Sequence, residues 1–360
     1  MELLETRVDP DFEALRKCIL REGTPDRVHN VELFLDGEIE RQVSDRYNLS
    51  SAFDENDPFY NLQRLVAIHR FLGYDMVRAP IGLDFPRSRQ ATEDTTAIEG
   101  QQRSQRSWTD EHSGPIKSRE DFEKYPWPDP AAVDYSCMEW LEENLPDNMA
   151  YYILTAHILE QPTWLMGYET LCIKMYDEPE LVDDVFRKCG EIWQDFTERI
   201  CKFPRLGVVW GSDDMGFRGQ TLLPPDVLRE KVFPWHKKAA ATAHEHGKVY
   251  FLHVCGNVTD VMDDLIDDVG IDARHSYEDT IMGPIEAKER YGDRIAILGG
   301  IDVDFLCRND EAAIRKRVRE TLDKCQEGGG YCLGSGNSVA NYIPVENYLV
   351  MLDEGRRYTA

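Results

Sequence analysis

The chain has 360 residues, with 41 basic and 67 acidic side chains and a formal net charge of -26 at pH 7. Nucleic acids and anionic lipid surfaces are bound by clustered Lys and Arg, so this balance argues against both as partners. No stretch approaches the roughly 20 apolar residues that a membrane-spanning helix needs, and the N-terminus has no basic start followed by an apolar core. We therefore expect a soluble, cytoplasmic protein.

Nine cysteines are spread along the chain without a secretion signal. This distribution argues against a disulfide framework and predicts reduced thiols or metal ligands. Most of the cysteines are expected simply to pack in the core.

Eight short apolar or alternating segments predict β-strands, and amphipathic segments with charged faces lie between them. Strand and helix alternating eight times is typical of a (β/α)8 TIM barrel, with a doubly wound open sheet as the main alternative. We expect one barrel domain over residues 1–360, with an N-terminal helical extension. The predicted strands are 28–34, 74–80, 150–156, 206–212, 249–255, 271–277, 294–300 and 329–335.

One connection, residues 81–149, is too long for a simple loop and follows the second predicted strand. It is polar and is punctuated by Pro and aromatic residues. Long connections of this kind are usually functional lids or poorly ordered excursions. We predict a lid in which Phe85, Trp108 and Trp127 contact a substrate or partner, with ordinary packing as the alternative for each.

Polar side chains lie at or near the ends of the predicted strands from the fourth to the eighth. Active sites of β/α barrels lie at the carboxyl ends of the strands, which makes these side chains candidates for the site. Carboxylates in such positions also cap the following helix or orient a loop. The residues are Asp213 and Asp214 (fourth strand), His253 and Cys255 (fifth), His275, Glu278 and Asp279 (sixth), Asp302 (seventh) and Cys332 (eighth).

The stretch VYFLHVCGN places His253 and Cys255 two residues apart, so an extended chain projects both side chains from one face. Imidazole, thiolate and carboxylate groups are the ligands that zinc accepts. We expect His253, Cys255 and Cys332 to bind zinc, with Glu278 in a fourth, displaceable position. A buried histidine beside a small hydrophobic thiol is the competing interpretation of the motif.

Three segments of the sequence resemble those of a known family: HEHGKVYFLHVCGNV, GGID and YCLGSGNSVANYIPVENYLVMLDEGRRY. They resemble the uroporphyrinogen decarboxylase superfamily, especially its corrinoid-dependent methyltransferase branch. The resemblance covers roughly residues 60 to 358 and implies a (β/α)8 barrel. It also implies zinc bound by His253, Cys255 and Cys332, completed by Glu278. The methyl group would pass to or from the cobalt of a corrinoid (cobalamin) carried by a separate partner protein.

The chain departs from the true decarboxylases at two motifs. Their arginine-rich N-terminal segment is replaced by DRVHNVELFLDGE, and their GHG motif is replaced by GSG, with Ser335 in the histidine position. A substrate with many carboxylates would lose its hydration there without compensating hydrogen bonds. The departures therefore disfavour decarboxylation of uroporphyrinogen.

Zinc serves methyl transfer in two ways, and both remain open. It holds a substrate thiol as thiolate, or it acts as a Lewis acid on an ether oxygen so that the methyl group leaves to reduced cobalt. The aromatic residues of 81–149 favour a methoxylated aromatic substrate, with Asp214 or Asp302 protonating the leaving phenolate or holding a polar substrate group. The alternatives are a thiol methyltransferase, a uroporphyrinogen decarboxylase and a non-catalytic tetrapyrrole-binding barrel. Homo-oligomerisation is left open.

Overall fold

A computed structural model of the chain describes residues 3–95 and 112–359, together with the backbone of the strand at 106–109. The strands are short, from two to seven residues. They are Met76–Arg78 (β1), Arg89–Thr92 (β2), Arg106–Thr109 (β3), Ala150–Thr155 (β4), Leu206–Ser212 (β5), Val249–His253 (β6), Ala273–His275 (β7), Ala296–Leu298 (β8) and Tyr331–Cys332 (β9).

Seven of these strands form one parallel sheet in the order β1-β4-β5-β6-β7-β8-β9, which is also their order in the chain. The strands β2 and β3 pair separately as an antiparallel hairpin. Consecutive parallel strands need crossover connections, and helices supply most of them. The predicted α/β class and seven of the eight predicted strands are therefore confirmed, each within a few residues of its expected bounds.

Helices alternate with the parallel strands and bury their apolar sides against the outer face of the sheet. Among the described residues, no helix is both long enough and apolar enough to cross a membrane. The α-helices are Phe12–Ile19 (α1), Gly37–Arg46 (α2), Tyr60–Phe71 (α3), Arg119–Lys124 (α4), Ser136–Asn144 (α5), Glu160–Met166 (α6), Tyr168–Asp177 (α7), Pro179–Ile200 (α8), Pro225–Val227 (α9), Phe233–Glu245 (α10), Pro284–Tyr291 (α11), Val303–Arg308 (α12), Glu311–Cys325 (α13) and Val345–Arg357 (α14). Short 3₁₀ turns lie at Pro130–Ala132 and Thr259–Val261, and π-helical turns at Leu228–Val232 and Asp264–Val269.

The sheet curls, because all seven strands contribute side chains to one interior cluster. Val208 and Trp210 of β5 point into this cluster, whereas Val209 between them joins the outer core, as the two-residue period of a strand requires. Helix α1 adds Leu15 and Ile19 to the interior. The concave side is thus a packed core and not an open pore.

Helix α1 lies at the amino ends of the strands. Its first amide, that of Phe12, donates to the carbonyl of Asn148, two residues before the start of β4. The Phe12 ring occupies the space where Gly207, at the start of β5, lacks a side chain. One end of the sheet is therefore covered, and the opposite, carboxyl end carries the loops that bear the polar residues.

Residues 28–34, predicted as the first strand, do not form a strand. They contact the residue that follows β9 through a single parallel bridge between Asn30 and Leu333, flanked by two backbone hydrogen bonds. On the β1 side, the Tyr152 hydroxyl donates to the carbonyls of Glu32 and Leu33. A side chain satisfies the backbone there, so the ladder to β1 is absent.

The segment 81–149 contains β2, β3, α4 and α5. Phe85 is buried and stacks on Trp193 of α8 with ring centroids 5.8 Å apart, and it also meets Trp127 edge-on. These contacts correspond to the packing alternative for Phe85 and Trp127. The side chain of Trp108 lies outside the described residues.

Candidate metal site

The candidate site begins at the carboxyl ends of β5 and β6, which pair in parallel with Ser212 opposite His253. Asp214 follows β5 by two residues, and Cys255 follows β6 by two residues. The pairing continues past the strands, since the Asp213 amide donates to the His253 carbonyl at 3.0 Å. The register of the two strands thus brings Asp214 beside the H-x-C motif.

Two glycines let the loops after β5 and β6 touch backbone to backbone. Gly256 has a φ of +79°, and a Cβ there would lie 2.0 Å from the carbonyl carbon of Gly216. A Cβ on Gly216 would lie 2.7 Å from the backbone of Asn257. Only glycine fits at both positions, and the contact holds the two loops close together.

Three donor atoms of different types meet at this point. Nε2 of His253 lies 3.4 Å from Sγ of Cys255 and 3.4 Å from Oδ1 of Asp214. All three donor atoms lie within 4.8 Å of one another. Among the side chains of residues 3–95 and 112–359, this is the one group of three or more His, Cys, Asp or Glu that meets that spacing.

The other ring nitrogen of His253 is held by a second histidine. Nδ1 of His253 lies 2.8 Å from Nδ1 of His275, and His275 is fully buried. Burial keeps the pKa of His275 well below its usual value, and the charges of His253 and Arg274 lower it further. His253 donates from Nδ1 to a neutral His275, so its Nε2 carries either a proton shared with Asp214 or, once that proton is lost, a metal.

The surroundings favour ionisation of the Asp214 carboxyl and oppose ionisation of the Cys255 thiol. Burial opposes ionisation of Asp214, but hydrogen bonds from His253 and Cys255 outweigh it and lower its pKa to about 2. Burial, together with the negative charge of Asp214, raises the pKa of Cys255 well above its usual value. Asn337 donates to the Cys255 sulfur at 3.2 Å, and the Ser276 hydroxyl lies 3.9 Å from it. The thiol therefore needs a cation to become a thiolate.

The donor set fits zinc. One imidazole nitrogen, one sulfur and one carboxylate oxygen are ligands that zinc takes together, and three protein ligands are typical of a catalytic zinc site with one position left for substrate. The hydrogen bond on His253 Nδ1 is the outer contact expected of a metal-binding histidine. Zinc would be held by Asp214, His253 and Cys255.

Comparison with known proteins assigns the family. Residues 111–358, well over half of the chain, match the family model described as Uroporphyrinogen decarboxylase (URO-D). The chain belongs to the uroporphyrinogen decarboxylase family. The resemblance inferred from the sequence motifs is thereby confirmed for the family. A search of curated proteins found no significant match.

Solved structures resemble this member of the uroporphyrinogen decarboxylase family over nearly its whole length. A methyltransferase from Methanosarcina mazei has a TM-score of 0.69 and 17% identity, with 97% of this chain and 99% of that chain covered. At this identity the likeness establishes a shared fold. Two B12-independent methionine synthases have TM-scores of 0.47. The one from Listeria monocytogenes, described as putative, is 15% identical and covers 98% of each chain, and the one from Shewanella sp. W3-18-1 is 11% identical and covers 99% of this chain and 97% of that chain.

Cys332, expected as a third ligand, is not part of the group in this uroporphyrinogen decarboxylase family member. It is the last residue of β9 and is fully buried in the interior cluster, where its thiol interacts with Cys18 of α1, the helix at the amino ends of the strands. His253 and Cys255 lie at the carboxyl end of β6 and just beyond it. The Cys332 thiol is therefore directed toward α1 and away from His253 and Cys255, and Asp214 is the third member of the group.

Ser335, at the position of the decarboxylase histidine, lies further along the same chain segment. Its hydroxyl and amide both donate to the Glu32 carboxylate, at 2.6 and 2.7 Å, and both residues are buried. Burial raises the pKa of Glu32 to about 8, although the two hydrogen bonds from Ser335 lower it. The amide and the hydroxyl of Ser335 are thus both used in its contact with Glu32.

Glu278 and Asp302 are near the group but outside it. Glu278 is half-buried, and burial raises its pKa, with the neighbouring charge of Asp302 raising it further. Asp302 is the N-cap of α12, accepting from the amides of Asp304 and Phe305, and it also accepts from the Asp279 amide. The Glu278 carboxyl is therefore a weaker acid than a free glutamate, whereas the Asp302 carboxylate accepts the hydrogen bonds that cap α12.

Two further residues at this end of the sheet were not singled out by the sequence. His157 follows β4, pairs with Glu160 at 2.9 Å and has its pKa lowered to about 3 by burial, with Arg87 adding to the effect. Asp214 and His253 also affect that pKa, so His157 lies near them. Asn337 follows β9 in the GSGNS stretch. Their positions just past a predicted strand were the available signal.

Proposed function

We propose that this protein is a zinc-dependent methyltransferase. It moves a methyl group between a small methylated substrate, of the methoxylated aromatic type, and the cobalt of a corrinoid carried by a partner protein. The single observation that carries the proposal is the convergence of Asp214, His253 and Cys255 at the carboxyl ends of β5 and β6. The shared fold with a methyltransferase from Methanosarcina mazei supports this reaction class. We also propose that the extended residues 28–34, although they form no strand, occupy the eighth strand position of a (β/α)8 barrel.

The three residues would hold zinc through one nitrogen, one sulfur and one oxygen. When bound, zinc supplies Lewis acidity to a substrate oxygen, or keeps a substrate thiol deprotonated. Asn337 donates to the Cys255 sulfur and so stabilises its negative charge. His275 fixes the orientation of the His253 ring through the contact between their Nδ1 atoms.

A cavity of about 620 Å³ lies next to the group of Asp214, His253 and Cys255. Glu278 and Asn337 form part of its wall. Burial raises the pKa of Glu278, so this carboxyl retains its proton closer to neutral pH than a free glutamate does. A protonated carboxyl beside a substrate site donates to a leaving oxygen. We assign to Glu278 the protonation of the departing phenolate, in place of the predicted role as a fourth ligand.

The charge of the same cavity argues against decarboxylation of a tetrapyrrole. Its walls include Glu278, Asp279, Asp302 and Asp304. A substrate with many carboxylates would be repelled by these acidic side chains. A neutral methoxylated ring meets no such repulsion, which favours the methyltransferase over the decarboxylase.

Protein purified without chelator and analysed for metal tests the first part of the proposal. About one zinc per chain is expected, and its absence contradicts the proposal. The second part is tested by mixing the protein with a corrinoid protein reduced to Co(I) and a methoxylated aromatic, and following the corrinoid by visible spectroscopy. Methylation of the corrinoid supports the proposed substrate class.

Two other substrates distinguish the alternatives in the same assay. Demethylation of a methylated corrinoid by an added thiol, without reaction of any aryl ether, would replace the methoxylated aromatic by a thiol. Formation of coproporphyrinogen from uroporphyrinogen would overturn the methyltransferase assignment. The Glu278→Gln variant is expected to keep its zinc and lose most of the rate, because only the proton donor is removed.

A further inference from the structure

A second cavity, of about 270 Å³, lies where residues 28–35 and β1 fail to pair. Part of its wall is apolar, formed by Phe34, Leu35, Leu65 and Tyr152. The remainder includes two arginines, Arg64 and Arg78. An apolar wall with two cations suits a small molecule that has an apolar body and an anionic end.

The two arginines have no anionic partner in the protein. Within residues 3–95 and 112–359 neither guanidinium forms an ion pair or a hydrogen bond, and the Nε atom of each is buried without a partner. Each is held instead against an aromatic ring, Arg78 over Phe34 and Arg64 over Tyr60. Partly buried cations without a counter-ion are costly, and many other arginines of this chain are ion-paired.

Glu40 is the acidic side chain in the cavity wall, but it does not neutralise both cations. It lies beyond ion-pair distance of Arg64 and Arg78, although their charges act on it. Burial raises the pKa of Glu40 to about 7 against that effect. Even fully ionised, one glutamate leaves a net positive charge between the two guanidiniums.

We propose that this cavity binds the carboxylate of a small aromatic acid between Arg64 and Arg78. Arginine matches a carboxylate with paired N–H donors, and the apolar wall takes the ring. The cavity is too small for a tetrapyrrole and is of a size for a single substituted ring.

Packed rings separate this cavity from the metal group. Tyr152 in its wall packs on Trp210 with ring centroids 5.0 Å apart, and Trp210 meets His275 edge-on at 5.8 Å. His275 in turn contacts the zinc-binding His253. These buried rings fill the space between the cavity and the metal group, so the acid is bound as a second ligand, apart from the methyl group that is transferred, and the inference goes beyond the proposed function.

Isothermal titration with 4-methoxybenzoate tests the inference on the purified protein, without corrinoid. Binding is expected, with affinity reduced about tenfold or more in Arg64→Gln and in Arg78→Gln, since each variant removes one cation. The neutral 4-methoxybenzamide, nearly identical in shape, is expected to bind about tenfold more weakly. Glu40→Gln is expected to bind more tightly, because a competing negative charge is lost. Arg290→Gln, at an exposed residue of α11, is the control and keeps the wild-type affinity.

Several outcomes overturn the inference. These are equal binding of the acid and the amide, binding of inorganic phosphate as tight as that of the acid, and unchanged affinity in both arginine variants. Loss of binding in Cys255→Ala with retention in the arginine variants would place the carboxylate on the metal instead. If Arg78→Gln does not fold, by circular dichroism, Arg64→Gln alone decides.

Different results contradict the inference and the proposed function. Binding of the acid that depends on the arginines, without methylation of a corrinoid from any methoxylated aromatic, keeps the inference and contradicts the function. Methylation of a corrinoid from a methoxylated aromatic, without any binding of 4-methoxybenzoate that depends on the arginines, keeps the function and contradicts the inference.

Discussion

Oδ1 of Asp214 lies 3.4 Å from Nε2 of His253, and the same oxygen accepts a hydrogen bond from the backbone amide of Cys255 at 3.1 Å. One carboxylate therefore contacts both residues of the H-x-C motif. The contact exists because β5 and β6 are neighbours in the sheet and end at the same height. It makes Asp214 a ligand candidate of equal standing with His253.

Replacing Asp214 by Asn is expected to lower zinc affinity by about tenfold or more, because a neutral amide oxygen is a weaker ligand for zinc than a carboxylate. Competition with a chromogenic chelator measures the affinity, and circular dichroism checks the fold. If the variant binds zinc as tightly as the wild type but loses methyl transfer, Asp214 is a proton donor and not a ligand.

The two cysteines predicted as ligands are expected to behave differently. Cys255→Ala should reduce bound zinc from about one per chain to a small fraction, because one of three donors is lost. Cys332→Ala should retain zinc and instead lower the free energy of unfolding by about 1 kcal/mol or more, since a buried sulfur is removed from the interior core. Metal analysis and urea denaturation of both variants make the comparison, and zinc loss in Cys332→Ala would contradict the proposed site.

Asp302→Ala removes the N-cap of α12 and is expected to lower the free energy of unfolding by about 1 kcal/mol. Asp302→Asn preserves the capping oxygen and should recover most of that stability. Both variants should keep their zinc, because Asp302 is not in the metal group. A large loss of methyl transfer in the stable Asn variant would restore the catalytic role predicted from the sequence.

The stability of the protein should depend on Glu32 near neutral pH. Burial raises the pKa of Glu32 to about 8 in the folded state, against about 4.5 for a free glutamate, so the folded protein retains a proton that the unfolded chain loses. Stability contributed by the protonated form is complete below the unfolded pKa and is lost as the pH rises through the folded pKa. The slope in between approaches about 1.4 kcal/mol per pH unit.

Urea denaturation at pH 5, 6, 7 and 8 measures this slope. Glu32→Gln should remove most of the decline relative to the wild type, because a glutamine cannot ionise. Glu143→Gln, at an exposed glutamate of α5, is the control and should preserve it. Parallel curves for the wild type and Glu32→Gln would show that Glu32 is ionised in the folded protein at neutral pH.

Much of the fold followed from the sequence because its signals are local. Apolar runs between amphipathic segments marked seven of the strands, and the parallel, alternating architecture followed from their order. The failure at residues 28–34 has a tertiary cause. The Tyr152 hydroxyl, far away in the chain, satisfies carbonyls that a strand would have used, and no local pattern reveals that contact.

The candidate site was likewise predicted only in part from the sequence. Strand geometry placed His253 and Cys255 on one face, because side chains two residues apart on an extended chain point to the same side, and the motif itself carried the family resemblance. The third partner depended on which ends of the strands meet. The Cys332 thiol faces Cys18 of α1 within the interior cluster, whereas Asp214 reaches Cys255 through the register of β5 and β6. Adjacency of strands in space, and the height at which each one ends, arise only when the sheet assembles, so only the tertiary structure shows that Asp214, and not Cys332, lies beside His253 and Cys255.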